Sequence, residues 1–196
     1  MNVLGLTGSI GMGKTVTANM FRYFRVPVHD ADAVVHELLG PGSAAVEAVL
    51  NAFPGVAATS GGTDRRALGK RVFGDDDALR SLEAILHPLV QAAERAFKDR
   101  CRRMGYRLVV LDIPLLFETG GDTRCDRTCV VTAPAFLQRR RVMMRAGMTD
   151  DRFRQILSRQ MPDEEKRRRA DFIVQSGLGR HHALQQVREI VKEMTA

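Results

Sequence analysis

Apolar and polar positions fall into blocks of different period along this chain. Residues 3–7, "VLGLT", are almost uniformly apolar and predict a short strand buried on both faces. Residues 14–24 carry Val16, Met20 and Phe24 at helical spacing and predict a helix. "VPVHDAD" predicts a second strand running into a loop. Residues 43–53 predict a helix with Ser43 as its cap, and "PGVAATSGGTD" predicts a loop. "DRRALGKRVF" and the long run from Asp76 to Gly105 predict helices, the second broken or kinked at Pro88. "YRLVVLDIP" is the clearest buried strand, and "RTCVVT" is another. Residues 134–169 predict charged helical structure. "DFIVQSG" predicts a last strand and "HHALQQVREIVKEM" a last amphipathic helix, with Leu184, Val187, Val191 and Met194 on one face.

Strands that alternate with helices imply an α/β fold, a parallel sheet covered on both sides. Two stretches break the alternation, about 32–104 and about 136–169, and read as insertions into a core of about 1–31, 105–135 and 170–196. The 196 residues suit one compact domain, and a hydrophobic content of 44% is enough for a substantial core. No apolar run is long enough to cross a membrane, and the N-terminus carries neither a basic leader nor a cleavage site. Cys101, Cys125 and Cys129 form no metal-type pairing. They read as small buried residues in a reducing compartment, which points to the cytoplasm. The net charge is +7, and 25 of the 30 basic residues are arginine, whose planar fork suits phosphate. That charge raises nucleic acid as a partner, but the absence of tryptophan and the presence of only two tyrosines leave few stacking platforms.

Chemistry concentrates first in "LTGSIGMGKT". From Gly8 it matches G-x-x-x-x-G-K-S/T, with Gly8, Gly13, Lys14 and Thr15 at the fixed positions, behind a strand and ahead of a helix. Such a loop wraps phosphates with backbone N–H groups, so Gly8, Gly11, Met12, Gly13, Lys14, Thr15 and Val16 are expected to bind a nucleoside triphosphate. Lys14 reaches the β- and γ-phosphates. The Thr15 hydroxyl, with Asp112 at the end of "LVVLD", is expected to hold Mg²⁺. A GTPase is disfavoured because the chain has no N-K-x-D and "DIPL" does not continue as D-x-x-G. A nucleic-acid motor needs a longer chain. A small kinase using ATP fits best. Such an enzyme needs a carboxylate near the acceptor, offered by Asp30 or Asp32 in "HDAD", and cations on a mobile lid. Arg141 and Arg145, four residues apart, are expected to share one helix face. Arg139 and the run 166–169 read as a solvated basic face.

Together these segments resemble the dephospho-coenzyme A kinase family over nearly the whole chain. Besides the glycine loop and "HDAD", "TDRRALGKRVF" resembles its D-R-x-x-L-…-V-F segment, "LHPLV" its His-Pro helix and "IPLLFETGGD" its P-L-L-x-E motif. Gln138, Arg141 and Arg145 fall on its Q-x-x-R-x-x-x-R spacing, and "ADFIVQSG" resembles its last strand. The resemblance implies a P-loop kinase core, a helical acceptor-binding insertion at 32–104 and a lid at 136–169. It implies transfer of the γ-phosphoryl of ATP to the ribose 3′-hydroxyl of dephospho-coenzyme A. It makes Asp32 the general base, with Lys14, Arg141 and Arg145 catalytic. Asp32, Arg65, His87, Leu115, Phe117 and Glu118 line the acceptor site. The expected partner is that small molecule, with no nucleic acid and no membrane, in a monomer or weak homo-oligomer. The chain departs from the family at Ser9 (usually Gly), Met12 (commonly Ser), Thr15 (commonly Ser) and Ser176 (usually Asn). The resemblance puts the last of these near the adenine.

Overall fold

The computed structural model describes residues 1–196. It divides into two compact units, one formed by Met1–His29 with Arg100–Ala196 and the other by Asp30–Asp99.

The first unit is built on a five-stranded sheet. Strand β1 (Asn2–Thr7) is followed by helix α1 (Lys14–Tyr23) and by β2 (Val28–Asp30), whose last residue already belongs to the second unit. The chain returns through β3 (Leu108–Asp112) and β4 (Arg127–Thr132). Three short helices follow, α6 (Ala135–Met143), α7 (Asp150–Ser158) and α8 (Asp163–Arg169), where the sequence predicts one charged helical stretch. Strand β5 (Phe172–Gln175) and helix α9 (Arg180–Thr195) complete the unit. The strand order is β2-β3-β1-β4-β5, with β1 parallel to β3 and β4, and β4 parallel to β5. After β1 the chain moves one way along the sheet and after β3 the other. The switch point therefore lies between β1 and β3, and ligand crevices open beyond the C-terminal ends there. Strands β1, β3 and β4 are buried on both faces, as parallel strands under two helical layers must be.

Leu4, Leu6, Phe21, Val110, Val131, Val174 and Val187 form the core of this unit. Two helix faces differ from the expected ones. On α1 the buried residues are Thr17, Ala18, Met20 and Phe21, while Val16 is exposed and Phe24 lies past the helix end. On α9 the buried line is Ala183, Val187, Ile190 and Met194, with Leu184 and Val191 at its edges. Both shifts are a fraction of a turn, because an apolar count cannot tell the centre of a face from its rim.

The second unit is helical. It holds α2 (Ala31–Leu38), α3 (Val46–Ala52), α4 (Arg65–Val72) and most of α5 (Asp76–Arg103). Its core is Leu39, Val49, Phe53, Val56, Leu68 and Leu86. No loop separates β2 from α2, because Asp30 ends the strand and caps the helix, accepting from the Ala33 amide at 3.0 Å. Ser43 does not cap α3. Its hydroxyl donates to the Leu38 carbonyl at 2.5 Å and accepts from the Ala45 amide at 3.3 Å, closing a turn ahead of the helix. Pro88 does not break α5, which runs unbroken for 28 residues. Leu82, Ile85, Leu86 and Leu89 pack on the core of the unit on either side of the proline, and that burial outweighs one missing hydrogen bond.

Candidate active site

The glycine loop links β1 to α1, and each of its three glycines meets a neighbour too close for a side chain. A Cβ on Gly8 would stand 2.7 Å from the Val131 carbonyl oxygen on β4. Gly11 (φ +79°) has Val142 of α6 2.5 Å from where its Cβ would be, and Gly13 (φ +95°) has the Ser176 hydroxyl at 3.1 Å. The bare backbone thus serves packing against β4, α6 and the turn after β5, as well as wrapping a phosphate. Other contacts brace the loop. The buried Gln138 side chain donates to the Ile10 carbonyl at 2.8 Å, and Gln160 accepts from the Ile10 amide at 3.1 Å. Met12, where the family commonly has serine, is buried, and its sulfur accepts from the Ala133 amide at 3.2 Å.

Helix α1 begins at Lys14 with Gly13 as a left-handed cap, no capping side chain and no acidic residue in its first turn. Its first amides have no intrahelical acceptor, and the positive end of the helix faces the loop. That is a built site for an anion. Lys14 Nζ lies 2.5 Å from Asp112 Oδ1 at the buried end of β3. A phosphate entering the loop therefore competes for a lysine already held at its rim. Thr15 and Val16 are exposed on the first turn of α1, and the Thr15 hydroxyl makes no hydrogen bond. Thr15 and Asp112 both offer hard oxygen donors, which suit Mg²⁺. No group of three or more His, Cys, Asp or Glu side chains could hold a metal, so an ion here would take its remaining ligands from phosphates and water.

The two arginines of α6 separate. The helix ends at Met143, so Arg145 lies in the following turn and they do not share a helix face. Val142 pins the last turn of α6 against Gly11, and the chain then reverses through Gly147 (φ +72°) to reach α7. Arg145 is exposed and its side chain has no partner. Arg141 is held. Its Nη1 donates to the Ser176 hydroxyl at 2.9 Å and its Nη2 to the Ser176 carbonyl at 3.0 Å. Arg139 is exposed, as expected, and pairs with Asp150 at the start of α7.

Beyond β3 the turn from Pro114 to Gly120 carries Leu115, half-buried, and Phe117, buried under the Arg169 guanidinium 4.8 Å from its ring centre. The Thr7 hydroxyl donates to the Pro114 carbonyl at 2.9 Å, fixing this turn beside the loop after β1. Glu118 turns inward, accepting from the Met161 amide at 2.8 Å and lying 2.8 Å from Lys166 Nζ. Burial alone would raise the Glu118 carboxyl, but hydrogen bonding from Lys166 and Met161 holds it below its ordinary value. Lys166 is therefore no part of a solvated face. It is fully buried, while Arg167, Arg168 and Arg169 around it are exposed. Helical phase put one of four consecutive basic residues inward. Lysine is scarce, 5 of the 30 basic residues, and in the folded structure Lys14, Lys98 and Lys166 all pair with buried or nearly buried carboxylates. Asp163, one turn earlier on α8, accepts from Thr132 at the end of β4 at 2.7 Å.

In the helical unit, Asp32 lies exposed in the first turn of α2, with His36 one turn on along the same face. Capping of α2 falls to Asp30. Arg65 opens α4 behind the cap Asp64, and its Nη1 donates to His36 Nδ1. No sequence motif singles out His36. His87 is exposed on α5, next to Pro88.

Comparison with known proteins gives this arrangement a lineage. The dephospho-CoA kinase (CoaE) family model matches residues 2–179. A dephospho-CoA kinase from Paramagnetospirillum magneticum is 62% identical over 167 residues, covering 85% of this chain and 78% of the relative. One from Rhizobium meliloti is 51% identical over 197 residues, covering 100% of both. A crystal structure from Thermus thermophilus superposes with a TM-score of 0.81 at 35% identity, over 100% of this chain and 98% of the other. A shikimate kinase from Bacteroides thetaiotaomicron (17% identity, TM-score 0.53, 100% and 99% covered) shares the fold. With the family model spanning nine-tenths of its length and relatives above half identity along it, this chain belongs to the dephospho-CoA kinase family.

Proposed function

We propose that this chain transfers the γ-phosphoryl group of ATP to the ribose 3′-hydroxyl of dephospho-coenzyme A, giving coenzyme A and ADP. The observation that carries this reading is the uncapped N-terminus of α1 behind the glycine loop, with Lys14 held at its edge by Asp112. The loop amides and Lys14 bind the triphosphate. Mg²⁺, held by Thr15 and Asp112 with the phosphates, neutralises charge on the triphosphate when bound. Asp32 accepts the proton of the 3′-hydroxyl while its oxygen bonds to the γ-phosphorus. The bond to the β,γ-bridging oxygen breaks and ADP leaves with the electron pair. Arg141 and Arg145 balance charge on the moving phosphoryl group, and the exposed Arg145 is unattached and available for this. Arg65, His87, Leu115, Phe117 and Glu118 hold the acceptor, with Arg65 oriented by His36. On this reading the enzyme works in the cytoplasm as a monomer or weak homo-oligomer.

The test is ADP release with Mg²⁺, ATP and a panel of acceptors. Dephospho-coenzyme A is expected to stimulate release and to gain phosphate at the 3′ position. Stimulation by a nucleoside monophosphate or by nucleic acid, with no response to dephospho-coenzyme A, overturns the reading. Asp32→Asn is expected to lower turnover about 10²–10⁴-fold with ATP binding and melting temperature unchanged, the range for loss of a general base. Normal turnover in that variant removes Asp32 from the mechanism.

A further inference from the structure

Ser176 opens the short 3₁₀ turn (Ser176–Leu178) between β5 and α9. Its side chain joins the glycine loop to Arg141 on α6. Its Oγ has a single proton, and the 2.5 Å contact with the Met12 carbonyl uses it. The lone pairs of the same oxygen therefore face outward as acceptors, and Arg141 Nη1 takes one at 2.9 Å. The second nitrogen of the fork donates to the Ser176 backbone carbonyl at 3.0 Å, and Nη1 also lies 3.4 Å from the Gly11 carbonyl. Gly13 closes the cluster. A Cβ there would stand 3.1 Å from the Ser176 hydroxyl and 3.7 Å from Arg141 Nη1. Two segments distant in sequence, the glycine loop and the turn after β5, thus meet around the guanidinium of a third, and each offers it an oxygen.

An arginine side chain is long and has many rotamers, so a cation that acts on a phosphate must be aimed by something. Lys14 is aimed by Asp112. Arg145, past the end of α6, is aimed by nothing. For Arg141 the directing group is the Ser176 hydroxyl, which is itself oriented by the loop that binds the phosphates. We propose that Ser176 is a positioning residue for phosphoryl transfer: its hydroxyl registers the Arg141 guanidinium against the phosphate loop. The Met12–Ser176–Arg141 chain ties the cation to the backbone that sets the phosphate positions, so the two move together. This rests on the reading of Arg141 as a catalytic cation.

The experiment is a double-mutant cycle on the full-length enzyme, with kcat and both KM values measured for wild type, Ser176→Ala, Arg141→Ala and the double variant. Ser176→Thr, which keeps the hydroxyl, is added, and melting temperatures are recorded for all. Ser176→Ala is expected to lower kcat about tenfold, the scale of one hydrogen bond to a charged group, with the acceptor KM unchanged. Ser176→Thr is expected to keep kcat near wild type. In the Arg141→Ala background, Ser176→Ala is expected to change kcat by less than about twofold, because the group it positions is gone. Equal losses in both backgrounds overturn the inference, as does a Ser176→Thr enzyme as slow as Ser176→Ala at unchanged melting temperature. If Arg141→Ala alone leaves kcat intact, the reading of Arg141 has failed. A slow Ser176→Ala beside it then gives the hydroxyl a role of its own and overturns the coupling.

Discussion

Lys166 is a charged side chain shut away from water, with the Glu118 carboxylate 2.8 Å away as its counter-charge. Removing one member of such a pair strands the other. Lys166→Ala is expected to destabilise the fold by roughly 3–5 kcal/mol, read from urea or thermal unfolding. Replacing both partners, Lys166→Met with Glu118→Leu, is expected to recover most of that loss, since a well-packed apolar pair avoids desolvation altogether. A double variant no more stable than Lys166→Ala would show that the pair itself, not the stranded charge, sustains this part of the fold. Lys14 obeys the same physics at a functional position. Its partner Asp112 is buried, so Lys14→Ala is expected to abolish turnover and also to lower stability by about 1–3 kcal/mol. A variant that melts like wild type would mean Asp112 is satisfied without the lysine.

Helices here owe their existence to what they pack on more than to their own composition. Helix α5 carries a proline in its interior and survives because its apolar face is pinned on both sides of it. Pro88 itself is exposed, so Pro88→Ala restores a backbone donor without disturbing the core. It is expected to raise the melting temperature, by up to about 3 kcal/mol of stability if the helix is straight enough to form the bond. An unchanged or lower melting temperature would mean that the Pro88 geometry is built into the packing of this unit. Helix α6 shows the opposite limit. It stops after nine residues because Val142 is wedged against Gly11 and the chain must turn, although its sequence continues basic and helix-compatible to Arg145.

Across the whole molecule, two hydrogen-bonded carboxylates, Asp171 and Glu118, link stability to pH. Burial by itself would raise Asp171, but hydrogen bonds from the Thr128 amide and hydroxyl and from Arg127 hold it below its ordinary 3.8. Glu118 is likewise held below 4.5. For each, the unfolded chain takes up a proton at higher pH than the folded one. Their contribution is therefore complete above those ordinary values and is lost as pH falls through the lower folded ones. Unfolding free energy is expected to be insensitive to these two groups near neutrality and to drop with acid from about pH 4.5 downward. The same titration with Asp171→Asn is expected to show a shallower acid slope. An identical slope would remove Asp171 from the linkage. The buried Cys129 thiol, pushed up to about 12 by desolvation, stays neutral throughout and adds nothing to this dependence.

The glycine loop, the alternation of strands and helices and the order of the short motifs were legible in the residues. Each is local: a period of apolar residues or a fixed spacing along a few turns of backbone. The family and its α/β core followed from them. The partners of the side chains were not legible. Gln138 and Gln160 on one carbonyl and amide pair, Ser176 between Met12 and Arg141, and Lys166 on Glu118 join residues 35 to 164 positions apart. Nothing in a local pattern distinguishes a glutamine that braces a loop from one in water, or the buried lysine of "KRRR" from its exposed neighbours. Those assignments depend on which turn of which helix meets which strand end, and that is settled by packing across the sheet.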